Sequence, residues 1–111
     1  MISLDKQILI IMIRKHKENR FRLLNALYQF CNGSTRKWVN LKELCANQGI
    51  PFAPDAFKYL LAEKLIEPYG SAYTCYLAHN GVKAIEQAYE NPHQGTLYFP
   101  ALADIEPLNG Q

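Results

Sequence analysis

Arg36, Lys37 and Lys42 fall close together in this 111-residue chain, and Lys58 and Tyr59 follow shortly after them. Cations grouped like this can neutralise phosphates, releasing condensed counterions as they do so. Contacts of that kind hold a partner in register without reading it. A second group, Arg14, Lys15, Lys17, Arg20 and Arg22, lies nearer the N-terminus. Both groups also fit the blander reading of a solvated helix surface and an ordinary polar loop.

The remaining reactive residue types form no constellation. The histidines stand at 16, 79 and 93, with no metal-ligand spacing to one another or to a cysteine. Cys31, Cys45 and Cys75 each sit among apolar residues and contain no C-x-x-C pair, which predicts buried, reduced thiols. The chain has no Gly-rich phosphate loop, no H-E-x-x-H and no G-x-S-x-G, and its acids are spread singly. The expectation is a non-enzymatic protein with no cofactor, no metal and no small-molecule ligand.

The length suits one domain with a single small core. Net charge is +2, unevenly placed: residues 1–48 carry nine Lys/Arg against three Asp/Glu, and residues 49–111 carry three against seven. Such asymmetry marks a basic side that can face an anionic partner. The longest apolar run, Ile8 to Ile13, is too short to span a bilayer, and its cations follow it, unlike those of a signal peptide. A cytoplasmic protein with no membrane partner is the default.

These patches need elements to position them. Ser3 can cap a first helix that carries Leu4, Ile8, Ile11 and Met12 on one face, with Leu9, Ile10 and Ile13 extending the apolar surface almost all round. A helix so apolar must be covered; a second copy of the chain is the expected cover, and a strand is the alternative. Residues 14–20 are polar throughout, so either the helix runs on through solvent or the chain breaks there. From Phe21 two apolar stripes (Phe21, Leu24, Tyr28, Cys31; and Leu23, Leu27, Phe30) predict a central helix, stopped at Asn32-Gly33-Ser34 with Gly33 as left-handed cap.

Thr35 to Val39 can form a short strand anchored by Trp38 and Val39. Asn40 and Glu43 make a capping box opening a helix that ends at Gly49. Pro54 opens another over residues 54–65, with Phe57, Leu60, Leu61 and Leu65 as its buried stripe and Asp55, Lys58, Tyr59, Ala62 and Glu63 outward. The spacing then alternates: Ile66 to Pro68, a turn, and Tyr73 to Leu77 make a hairpin. A last helix, Asn80 to Glu90, has Val82, Ile85 and Tyr89 inward and stops at Asn91-Pro92. Thr96 to Pro100 is an apolar segment in an otherwise extended tail, and should fold back onto its own domain.

Two short helices joined by a tight Gly-containing turn are the helix-turn-helix signature. Leu27-Tyr28, Gly33, Trp38-Val39, Tyr59-Leu60 with Leu65-Ile66, His79-Asn80-Gly81, Asn91-Pro92 and Tyr98-Phe99-Pro100 stand in an order and spacing that carry a more specific likeness. Over about residues 20–100 the chain resembles small winged helix-turn-helix proteins of the kind common in cyanobacteria. Ala78 departs from the pattern, standing where a capping Thr is expected, and the N-terminal helix is unusually hydrophobic. The resemblance implies a winged-helix fold. Together with the element reading it gives a mainly α fold with a small β-hairpin (α+β): a winged-helix domain over residues 1–92, in which 1–19 is an extra N-terminal helix expected from its apolar surface to form a homodimer, and an extended tail over 93–111. The resemblance also implies transcription-regulator-like binding of double-stranded DNA. The placement of charge, read from the residues, makes Arg36, Lys37, Lys42, Lys58 and Tyr59 the expected contacts. Counting Lys64, residues 54–65 are neutral, and their outward face has no Arg, Asn or Gln for bidentate base contacts, so backbone contacts should dominate. The alternative is a winged-helix module for protein–protein contact or dimerisation, using Tyr59, Tyr69, Tyr76 and the Tyr98-Phe99-Pro100 segment.

Overall fold

The computed structural model of the chain describes residues 3–105. Its elements run α1 (Leu4–Cys31), β1 (Trp38–Asn40), α2 (Leu41–Gln48), α3 (Pro54–Ala62), β2 (Ile66–Pro68), β3 (Thr74–Leu77) and α4 (His79–Glu90), then one 3-10 turn (Leu102–Asp104). This is an α+β architecture: four helices and a three-stranded antiparallel sheet of order β1-β3-β2. The tail beyond Ile105, part of the expected 93–111 segment, lies outside the described residues.

Of the two possibilities for residues 14–20, the chain takes the continuous one. α1 is a single helix of 28 residues, capped by the Ser3 hydroxyl, which accepts from the Lys6 N–H at 3.3 Å. At 1.5 Å per residue such a helix is about 42 Å long, which accounts for extents of 48 × 28 × 28 Å. Its C-terminal half is the core's central beam: Phe21, Leu23, Leu24, Leu27 and Cys31 are buried. Phe30, expected on a buried stripe, is exposed instead. The left-handed cap is Asn32, with Gly33 also at positive φ (+76°) and close against the Tyr28 ring.

α2 forms as its capping residues dictate, with Asn40 Oδ1 accepting from the Glu43 N–H at 3.1 Å and Gly49 closing it at φ +70°. α3 is shorter than its apolar stripe. Lys64 takes a left-handed conformation, so the Leu65 N–H reaches the Leu60 carbonyl and the Lys64 N–H the Leu61 carbonyl. This paired closure ends the helix and drops Leu65 into the core. In β3, Cys75 and Leu77 point inward and Thr74 and Tyr76 outward, the expected alternation. The same register sets β1: Val39 pairs with Cys75 on the inner side, and Trp38 pairs with Tyr76 on the outer. Trp38 therefore does not anchor the sheet to the core.

α4 packs across α1 and holds it by two hydroxyls. Tyr89 donates to Asn25 Oδ1 at 2.8 Å, satisfying the buried amide, and Tyr28 donates to Glu86 at 2.8 Å. Donation to that carboxylate raises the Tyr28 hydroxyl's pKa, with burial adding to it. Ala78 caps no helix N–H with its side chain; its own N–H is tied to the Leu65 carbonyl. Gly81 sits directly on that carbonyl and on Leu77. Beyond Pro92 the chain folds back as expected: Thr96 Oγ1 accepts from the Tyr98 and Phe99 N–H groups, and Phe99 is fully buried, edge-on to Phe21 at 5.3 Å.

All three cysteines are free and buried. Burial pushes the Cys45 thiol up to about 11 and the Cys75 thiol up to about 12, and raises Cys31 as well. An unfolded thiol ionises from about 9.0, so above that pH the unfolded chain sheds protons that the native chain keeps. The stabilisation is whole below pH 9 and is lost as pH rises toward 12. Urea unfolding between pH 8 and 11 should show stability falling above pH 9, with Cys45 and Cys75 each contributing at most about 1.4 kcal/mol per pH unit until its own folded value is reached. A stability curve flat to pH 11 would contradict this burial.

Candidate functional site

Tyr73 is the residue on which the candidate site turns. It stands at the end of the hairpin loop with φ +63°, an uncommon conformation for a residue other than glycine. That conformation swings its ring inward, where it meets Phe52 at 4.9 Å and Phe57 of α3 at 5.3 Å, both edge-on. Its carbonyl accepts from the N–H of Leu41, the first residue of α2, at 2.9 Å. The ammonium of Lys42 lies 5.6 Å from the centre of the same ring, within reach of a cation–π attraction. One side chain thus joins the start of α2, the body of α3 and the hairpin turn.

The five residues expected as contacts do not form one patch. Lys42 is exposed beside Tyr73 and belongs to the Tyr73 junction; Lys58 is exposed on α3, turned away from the buried Phe57 that meets the ring. Arg36 and Lys37 are exposed at the other end of β1. Three strand residues separate them from α2, about 10 Å of extended chain. They border a hollow of about 330 Å³ with Phe30 and Trp38.

Tyr59, expected on the outward face, is turned toward α1. It is half-buried, and the Arg20 guanidinium lies 3.7 Å from its ring centre. Burial raises its hydroxyl's pKa, partly offset by Arg20. The reason is geometric: Phe57 and Leu60 take the innermost positions of α3, and the next position toward α1 is that of Tyr59. Arg20 is thereby held against α3 and borders a small cleft with His16, Asn19 and the first residues of α3.

Sequence reasoning missed a second feature. Trp38 and Tyr69 stack on the outer face of the sheet, ring centres 4.9 Å apart and planes within 16°, and both are about half exposed. Tyr76 shares that face as the strand partner of Trp38. The signal was present in the period-2 alternation of β3, since Tyr76 was already placed opposite Cys75; only the pairing of β1 was missing.

Among the described residues no group of His, Cys, Asp and Glu could hold a metal ion. No described helix is long and apolar enough to cross a membrane. Comparison with protein-family models, with curated proteins and with solved structures returned no match.

Proposed function

We propose that this chain is a winged helix-turn-helix protein that binds duplex DNA mainly through its phosphates, in the manner of a transcription regulator. The observation that carries the reading is the Tyr73 junction. It fixes the start of α2, α3 and the hairpin loop side by side, the juxtaposition by which a helix and a β-ribbon approach a duplex together. In this reading α2 and α3 are the helix-turn-helix, β2 and β3 the wing, and α3 lies nearest the major groove.

Lys42 then meets phosphate at the junction, Lys58 meets it from the exposed side of α3, and Arg36 and Lys37 meet backbone further along. Tyr59 acts indirectly, fixing Arg20 beside the N-terminal end of α3. Charge balances within α3, Lys58 against Asp55, and just past its end, Lys64 against Glu63. The helix therefore supplies position more than base readout.

Fluorescence anisotropy with labelled duplexes of unrelated sequence tests the proposal. The chain should bind them all within a few-fold of one another at low salt. Lys42→Glu combined with Lys58→Glu should weaken binding at least tenfold in a chain that still melts cooperatively, because both side chains are exposed and the fold loses no more than the Lys42–Tyr73 attraction. Binding unchanged by the double substitution would remove the junction from the interface.

The Trp38–Tyr69 stack favours a second reading, a module for protein contact. Exposed aromatic rings on a rigid sheet are the residue types that anchor interfaces, and Tyr69 and Tyr76 lie there with Trp38. Failure of the folded chain to bind any duplex at low salt would hand the function to this face.

A further inference from the structure

We infer that residues 4–13 of α1 pair antiparallel with the same segment of a second copy, the first turn of each lying in a groove of the other copy between α1 and the folded-back tail. The inference does not rest on DNA binding.

Leu4, Ile8, Leu9, Ile10, Ile11, Met12 and Ile13 are each between 48% and 72% exposed. Together they offer roughly 700 Å² of apolar surface, about what one partner contributes to a standard interface and above the largest apolar patch usual on a monomer. Residues 8–13 are apolar on every side of the helix. One helix laid alongside covers a single stripe, and Ile10 and Ile13, which line a groove, call for a second surface beside it. The chain itself has both. Ile10, Ile13, Arg14 and Lys17 of α1 face Thr96, Phe99, Pro100 and other residues of the 93–104 segment across a groove of about 390 Å³. A second copy's residues 4–8 can lie along Ile10 to Arg14 in this groove, touching helix on one side and tail on the other. A two-fold axis makes the exchange reciprocal.

Charge decides the direction. In a parallel pair Arg14, Lys15 and Lys17 would face their own counterparts. In the antiparallel pair the basic ends are kept apart, and each meets the N-terminal end of the other segment, where Asp5 and Lys6 balance and Asp5 can approach Arg14. Oppositely directed helix dipoles favour the same arrangement.

Light scattering on the full chain at micromolar concentration tests this directly. The expected mass is twice the 12.7 kDa of one chain. Ile8→Lys with Ile11→Lys changes only side chains exposed in the single chain, and should give the single mass with a cooperative melt. Asp5→Lys and Arg14→Asp should each weaken the pair at least several-fold, and the two together should restore it, which a parallel pair would not show. Gly95→Phe adds a side chain where a Cβ makes only ordinary contacts; it should fill the groove and dissociate the dimer. A single mass for the unaltered chain overturns the inference, whatever else the helix then binds. A dimer that keeps its affinity in the Gly95 variant overturns the groove, and a charge swap that fails to restore pairing overturns the antiparallel direction.

Discussion

Phe99→Ala should cost about 3–5 kcal/mol, the range for emptying a fully buried aromatic site. Phe99 is inaccessible to solvent, sits edge-on to Phe21 and is held in place by the Thr96 turn, whose hydroxyl accepts two backbone N–H groups. Its removal opens a cavity at the middle of α1, where Phe21, itself fully buried, loses its aromatic neighbour. Urea unfolding followed by circular dichroism measures this. The tail is then part of the cooperative unit, and cutting the chain after Pro92 should destabilise it comparably. A loss under about 1 kcal/mol would mean that the 93–105 segment merely leans on the domain.

Gly81→Ala is the second large effect, and its sign is diagnostic. Within a helix, Ala ordinarily outranks Gly by about 1 kcal/mol, so an unobstructed site would gain stability. Here a Cβ would run into the Leu65 carbonyl and come within 2.9 Å of Leu77 Cδ1. Backbone yields less readily than a side chain, and that carbonyl also accepts from the Ala78 N–H at 3.1 Å. The start of α4 would have to lift off the corner between α3 and β2, an overpacking strain of about 1–3 kcal/mol or more. Destabilisation in the same urea experiment is the expected result; stabilisation would show that the corner is looser than described.

The sequence made the elements legible where local chemistry alone decides them. The Asn40–Glu43 cap, Gly49, Pro54 and Asn91-Pro92 bound their helices because caps and prolines act within a turn. The alternation of Cys75 and Leu77 against Thr74 and Tyr76 placed the hairpin for the same reason. What the sequence left open depended on partners distant in the chain. The continuity of α1 through residues 14–20 rests on helix propensity with no apolar anchor to mark it. The outward turn of Trp38 depends on pairing with Tyr76, and the burial of Tyr59 depends on Arg20 approaching from α1. The candidate site divides likewise: its cations could be read from composition, but the separation of Lys42 from Arg36 and Lys37 needed β1 placed between them.

That separation bears on how DNA would be held. Two basic groups at opposite ends of one strand, beside a helix of balanced charge, imply affinity shared among several phosphates with little preference for sequence. The most direct test is the affinity for one duplex measured across a range of salt concentrations. Cation–phosphate contacts by Lys42, Lys58, Arg36 and Lys37 predict a linear fall of log affinity against log salt with a slope of about −3 to −4 per chain, shallower by about one for each of these cations replaced by a neutral residue. A slope near zero, or one unchanged in those variants, would contradict the proposed interface.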